Sequence, residues 1–277
     1  MKELSGGTAI LTGASRGIGP YIARALAREG LNLVLAARSP TGLDTVAEEV
    51  RGIGVRAIPV PTDVADAQAR EALLTAATDE FGAVDVLVNN AGIEKTIDYH
   101  RTDPVEIQQV IDVNLVAVML LTRLVLPGML QRGRGHVVNM SSLAGKVGAP
   151  YEAPYSATKF ALVGFTQSLR AEYHGSGVSA SVICPGFVAD AGMYADMNAE
   201  TGVKAPRMVG TSSPEKVAKA VVTAIKRDKP EIIVNPHGVR ALLTLGEAFP
   251  SLGERLARRT GAHEMFRRTA KARFPDA

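Results

Sequence analysis

One cysteine, Cys184, no tryptophan and an aromatic fraction of 5% set the first limits on this chain of 277 residues. A lone thiol excludes a disulfide framework and leaves no cysteine cluster for a structural metal. So few aromatic side chains give no platform for stacked bases, and a net charge of +3 is a weak footprint, so no nucleic acid is expected as a partner. No apolar run reads as a membrane span of ~20 residues; the longest, Leu115 to Leu126, contains Thr122 and Arg123. Lys2 and Glu3 lead into no apolar stretch, which is not the pattern of a secretory signal. What is present is ordinary globular composition, 46% apolar and 21% charged. The expectation is a soluble, cytoplasmic protein with a core large enough to need no covalent staple.

The charge is uneven. Residues 238–277 hold eight Lys and Arg against four acids, a net +4, and the remainder is −1. The break near Pro236 to Gly238 divides the chain into a nearly neutral body, 1–237, and a basic amphipathic extension, 238–277.

Within the body, short β-rich runs alternate with longer amphipathic stretches. Thr8 to Leu11, Asn32 to Ala36, Val55 to Val60, Val84 to Val88, His136 to Met140, Val178 to Ile183 and Glu231 to Val234 read as seven buried strands. Helical patterns lie between them: Ile18 to Glu29, Leu43 to Arg51, Ala65 to Phe81, Pro104 to Gln131, Tyr155 to Tyr173 and Pro214 to Arg227. Strict β-α alternation predicts an α/β fold, a doubly wound, Rossmann-type sheet of seven parallel strands with helices on both faces. A ligand of such a sheet belongs at the carboxyl ends of the strands. The one long connection, Pro185 to Ser213, reads as a loop over that site.

The first strand runs into Thr12-Gly13-Ala14-Ser15-Arg16-Gly17-Ile18-Gly19 and a helix opening at Pro20. Glycines there let the backbone turn tightly and approach a pyrophosphate, which the amides of a helix N-terminus attract. The spacing is Gly-x3-Gly-x-Gly. An NAD site places an acid about 20 residues beyond such a loop for the ribose 2′-hydroxyl, whereas an Arg suits a 2′-phosphate. Here the second strand ends in Ala36-Ala37-Arg38, with no acid before Asp44, and Arg16 stands in the loop itself. Two cations without a carboxylate point to NADP(H) as the preferred cofactor, with NAD(H) the second choice.

Among the tyrosines, only Tyr155 has a lysine four residues later, Lys159. On a helix this spacing sets both on one face, one turn apart. A phenol of pKa near ~10 works as an acid/base at neutral pH once a cation stabilises its phenolate, so the pair suits proton transfer. Ser141-Ser142 ends the preceding strand, on the side where chemistry belongs.

Taken together, these residues resemble the short-chain dehydrogenase/reductase family over roughly 6–235. The resemblance is carried by Thr12 to Gly19, Asp63-Val64, Asn89-Asn90-Ala91-Gly92, Asn114, Ser142, Tyr155-Ser156-Ala157-Thr158-Lys159 and Pro185-Gly186. It implies hydride transfer between a nicotinamide cofactor and a secondary alcohol or carbonyl compound. Tyr155 is then the general acid/base, Ser142 orients the substrate oxygen, Lys159 lowers the tyrosine pKa and holds the nicotinamide ribose, and Asn114 supports a proton-relay water. The cofactor contacts implied are Gly13, Ser15, Arg16, Gly17, Ile18, Gly19, Arg38, Asp63, Val64, Asn90, Ala91, Gly92, Tyr155, Lys159, Pro185, Gly186 and Val188. Asp63 and Val64 flank the adenine, and Asn90 the neighbouring ribose. No metal is implied, and a homodimer or homotetramer is expected. The chain departs from the family at Asp190, where a Thr usually helps hold the nicotinamide carboxamide; an ionised carboxylate accepts but does not donate.

Two other readings stand beside this one. Gly13-Ala14-Ser15-Arg16-Gly17 matches a G-x-S-x-G nucleophile elbow, and Ser156 to Lys159 an S-x-x-K pair, as in serine hydrolases. The elbow belongs in mid-sheet, however, and neither K-T-G nor S-D-N accompanies Ser156. A catalytically silent nucleotide-sensing module is the other. For the substrate, Met193, Met197, Met208 and Tyr194 suggest an adaptable apolar lid and a lipid-like ligand. In the extension, Leu242, Leu243, Leu245, Phe249 and Leu252 precede the basic run, and Leu256, Met265 and Phe266 interleave with it. Short amphipathic helices follow. A flap over the substrate mouth or a subunit contact ranks ahead of peripheral contact with anionic lipid, because Gly246, Pro250 and Gly261 break the pattern.

Overall fold

The computed structural model describes residues 3–236 and 238–274; Lys2, His237 and Asp276 lie outside them. Seven strands, β1 (Thr8–Thr12), β2 (Asn32–Ala37), β3 (Ala57–Pro61), β4 (Val86–Asn89), β5 (Gly135–Met140), β6 (Val178–Pro185) and β7 (Glu231–Val234), form one sheet in the order β3-β2-β1-β4-β5-β6-β7. Every neighbouring pair is parallel. The order reverses between β1 and β4, which opens a crevice at their carboxyl ends.

Both faces are covered, which is why the strands are apolar at consecutive positions. In β1, Leu11 joins a core made with α1 (Gly19–Arg28), α2 (Pro40–Arg51) and α8 (Pro214–Arg227), where Ile22, Leu43 and Val221 are fully buried. Ile10 points the other way, into a core with α3 (Ala67–Phe81), α5 (Ala117–Arg132) and α6 (Ala153–Glu172), through Leu73, Leu121 and Leu169.

The expected ends shift where local chemistry overrides periodicity. α2 starts three residues before Leu43, because the Ser39 side chain accepts from Gly42 N and Pro40 takes the first helical turn. β3 begins at Ala57 instead of Val55 and carries Pro59 and Pro61, which an edge strand tolerates. β4 begins at Val86, since the carboxylate of Asp85 accepts from Thr8 N just before it.

Two expectations are corrected. The helix read as one piece from Pro104 to Gln131 is α4 (Pro104–Ile111), a π-helical turn over Asp112–Val116, and α5. The whole run, Pro104–Arg132, has a mean hydropathy of 1.9 over its most apolar window and is long and apolar enough to cross a membrane by length and composition. Val118, Leu121, Val125 and Met129 of this run are buried in the protein, whereas Val105, Val116, Met119 and Leu120 are exposed. The connection read as a loop from Pro185 to Ser213 contains α7 (Met193–Thr201), entered at Gly192 (φ +85°) and left at Gly202 (φ +70°). The extension forms α9 (Arg240–Ala248), α10 (Pro250–Arg259) and α11 (Ala262–Arg273).

Candidate active site

A cavity of about 1260 Å³ opens over the carboxyl ends of the strands. Gly13, Arg16, Gly17, Ile18, Asn90, Ala91, Gly92, Ser142, Tyr155, Lys159, Pro185, Gly186 and Val188 all line it. Residues up to 175 positions apart in sequence thus face one space.

The glycine loop is a cradle that side chains would fill. Gly13 and Gly17 hold φ of +64° and +62°, a region disfavoured for other residues. A Cβ on Gly13 would lie 2.9 Å from Ala91 Cα, and one on Gly19 only 2.1 Å from the Gly13 carbonyl oxygen. The loop is pinned from behind. Thr12 Oγ1 accepts from Asn90 N and Ala91 N, both at 3.0 Å, and Asn90 Nδ2 donates to the Thr12 and Gly13 carbonyls at 3.1 Å. Asn90 is therefore a fixed brace, and Thr12, the first residue of the loop motif, supplies the hydroxyl that anchors it. An open backbone at the start of α1 fits the pyrophosphate of a dinucleotide.

Ser15, Gly19, Arg38, Asp63, Val64 and Asn114 are not on the cavity wall. Arg38 and Asp63 are exposed just beyond the ends of β2 and β3, beside the glycine loop, which Ala14 N ties to the Ala36 carbonyl at 3.1 Å. Asp63 accepts from Ala65 N at 3.0 Å, and the Val64 carbonyl accepts from Arg70 at 2.7 Å. The expectation that no acid opposes the two arginines is corrected for Arg16, which pairs with Asp196 of α7 at 2.9 Å. Both partners are well exposed, at 77% and 59%, so the pair is worth at most about 1 kcal/mol and a phosphate can displace it.

At the centre, Lys159 is buried on α6 and its Nζ donates to the Met140 carbonyl at 2.9 Å, 5.3 Å from the centre of the Tyr155 ring. Burial lowers its pKa to about 8. Burial raises the Tyr155 phenol above its usual range, and an ionised Glu152 beside it would add to this; a hydrogen bond from Ser142 acts the other way. Ser142 Oγ also accepts from Ala144 N at 3.1 Å, which orients the hydroxyl at the strand end. Asn114 is fully buried in the π-turn, accepting from Ile93 N at 2.9 Å and donating to the Ile93 carbonyl at 2.8 Å. The extra residue of the π-turn breaks the helix ladder, and the Asn114 amide braces the loop that follows β4.

The substrate side is apolar. Met193, Tyr194, Met197 and Phe187 line it, together with Leu242 and Leu243 of α9 and Phe266 of α11. Met208 does not; it is 64% exposed in a turn closed onto the Pro206 carbonyl. Asp190 is also absent from the wall and sits exposed at φ +63°. Met265 and Phe266 pack on Met197, so the extension closes one side of the cavity, as a flap would. Ser156 is buried with its Oγ accepting from Ala149 N, a poor setting for a nucleophile. The sequence reading missed Glu94 and Glu152, two acids on the cavity wall, and Arg273, which reaches Glu94 from the end of α11.

A family model for short chain dehydrogenases matches residues 7–202. The ketoacyl reductase HetN of Nostoc sp. is 42% identical over the whole chain and 96% of its own length. A metagenomic short-chain oxidoreductase, solved in complex with NADP, is 34% identical and superposes with a TM-score of 0.72 over 85% of this chain and all of that one. A short-chain dehydrogenase/reductase from Burkholderia phymatum, solved with NAD, is 28% identical, with a TM-score of 0.80 over 91% of this chain and 96% of that one. On fold, cavity and these likenesses together, the chain belongs to the short-chain dehydrogenase/reductase family of oxidoreductases.

Proposed function

We propose that the protein is an NADP(H)-dependent reductase that interconverts an apolar ketone or aldehyde and the corresponding alcohol, with Tyr155 as the proton donor and acceptor. The observation that carries this reading is the placement of Ser142, Tyr155 and Lys159 on one wall of the cavity whose other end is the glycine cradle. A dinucleotide held along that cradle by Gly13, Gly17 and Ile18 would supply or accept the hydride. The chain's own residues do the rest. Ser142 holds the substrate oxygen near the Tyr155 hydroxyl, the phenol gives its proton to the alkoxide as charge develops, and the charged Lys159 beside the ring stabilises the phenolate left behind. The same groups run the reverse reaction. Asn114 braces the loop after β4 through the Ile93 backbone, behind the cavity. The apolar wall from α7, α9 and α11 suits an acyl-like substrate, in keeping with the ketoacyl reductase name of the Nostoc relative. Following NADPH absorbance against a panel of ketones, aldehydes and β-keto thioesters tests the reading.

The cofactor preference rests on Arg38, exposed at the end of β2 with no carboxylate in the position that serves a 2′-hydroxyl. Arg38→Ala is expected to raise the Michaelis constant for NADPH about tenfold or more and to leave that for NADH nearly unchanged, since a charged hydrogen bond is worth roughly 1.5–3 kcal/mol. Equal loss with both cofactors removes Arg38 from phosphate recognition.

The extension belongs to the substrate side of this reading. Deleting 238–277 strips Met265 and Phe266 from Met197. Each buried side chain of that size contributes roughly 1.5–3 kcal/mol, so the substrate Michaelis constant is expected to rise at least about tenfold while NADP(H) affinity, measured by calorimetry, is kept. Loss of cofactor affinity instead, or salt-sensitive flotation of the full chain with anionic vesicles that the deletion abolishes, would give the extension a different role.

A further inference from the structure

Near the catalytic tyrosine lies a chain of polar groups that the proposed chemistry does not use. Thr96 is fully buried, and its Oγ1 lies 2.9 Å from Glu152 Oε1 and 2.9 Å from Glu94 Oε2. Beyond it, Arg273 of α11 binds Glu94 at 2.9 and 3.3 Å and Glu200 of α7 at 2.9 Å. A hydroxyl carries one proton and cannot donate to two carboxylates at once. One of the two short contacts must therefore be made by a carboxyl proton. Glu94 is matched by the Arg273 guanidinium, whereas Glu152 is buried and forms no ion pair among the described residues. The proton belongs on Glu152.

We infer that Glu152 is a neutral carboxylic acid that donates to Thr96, which donates to the Glu94 carboxylate clamped by Arg273, and that this relay makes Glu152 a positioning residue that keeps negative charge away from Tyr155. The inference rests on the acid/base reading of Tyr155 for its consequence, but not for the protonation itself. Glu152 is the N-cap of α6, three residues before Tyr155, and both line the cavity, close enough for charge on Glu152 to act on the phenol. An anion there opposes the phenolate that proton donation must leave behind. Burial, then the nearby charge of Glu94, pushes the Glu152 carboxyl up to about 8, with Arg273 acting in the opposite sense. The other charged or titratable groups around this corner include Tyr155 and Lys159 on the same helix, Lys95 between Glu94 and Thr96 and paired with Glu106 of α4, Glu200 on α7 behind Arg273, and His263 of α11, whose ring stands edge-on to Tyr151 at 5.8 Å. Arg273 is the last residue of α11, so the far end of the extension takes part in setting the charge beside the catalytic phenol.

The test reads the acid directly, in the full-length protein without cofactor or substrate. A pH-difference infrared spectrum is expected to show the carbonyl stretch of a protonated carboxylic acid at neutral pH, lost through a midpoint near pH 8 and missing in Glu152→Gln. Glu94→Gln removes a negative neighbour and moves the midpoint down; Arg273→Gln removes a positive one and moves it up. These two variants leave Glu152 in place, so the prediction stands even if Glu152→Gln does not fold, and a merely structural role for the cluster gives no opposed shifts. A spectrum with no such band at pH 7, a band that survives Glu152→Gln, or shifts of the same sign in the two neighbour variants overturns the proposal. Because no turnover is measured, a protein that reduces no carbonyl in the panel fails the proposed function while leaving this band in place.

Discussion

Replacing Tyr155 by Phe is expected to lower kcat at least ~100-fold, the lower range for lost general acid–base catalysis, while the folded protein still binds NADP(H). The substitution removes one hydroxyl and keeps the ring, its packing, and the ring's 5.3 Å contact with Lys159 Nζ. What is lost is the only proton donor that Ser142 orients toward the cavity in the proposed mechanism. Lys159 does not replace it, since its Nζ is held against the Met140 carbonyl. Stopped-flow measurement of NADPH oxidation, with calorimetric titration of the cofactor, separates the two effects. A near-normal kcat in the variant removes Tyr155 from the chemistry.

The second large effect is expected from Gly19→Ala. A Cβ at this position would stand 2.1 Å from the Gly13 carbonyl oxygen and 2.8 Å from Ala14 Cα. Both obstacles are backbone, so no rotamer change relieves them, and the loop must spread to admit a methyl group. Overpacking of this kind costs roughly 1–3 kcal/mol. The cost falls on the cradle proposed for the pyrophosphate, so NADP(H) affinity should drop between about tenfold and 100-fold, at roughly 1.4 kcal/mol per factor of ten. The same strain lowers the unfolding temperature by a few degrees. An unchanged dissociation constant would mean that the cofactor does not rely on the closed form of this turn.

How far the sequence reaches can be judged residue by residue. Strands buried on both faces announce themselves by apolar runs, and β7 and α8 fall where periodicity puts them, at Glu231–Val234 and Pro214–Arg227. Ser142, Tyr155 and Lys159 were legible because a phenol, a cation one helical turn away and a hydroxyl at a strand end make chemical sense together. The π-turn at Asn114 was not, since it preserves the apolar pattern of the helix on either side and differs by one residue in the hydrogen-bond ladder. α7 hides in the sequence because Gly192 and Gly202 look like loop residues, although here they enter and end a helix. The pairing of Arg16 with Asp196 and the relay from Glu152 to Arg273 join residues 180 and 121 positions apart, and no local pattern in the chain encodes such contacts. They arise only when α7 and α11 fold over the cavity.

The central claim is hydride transfer between NADP(H) and a carbonyl carbon in the cavity over β1, β4 and β5. The most direct measurement uses NADPH deuterated at the transferable position of the nicotinamide, mixed with the protein and an apolar β-keto thioester, with mass analysis of the product. One deuterium on the carbinol carbon of the resulting alcohol is expected, and at least ~100-fold slower labelling with Tyr155→Phe. Cofactor that binds but transfers no deuterium to any member of the carbonyl panel would contradict it, and would favour a nucleotide-sensing role for the same fold.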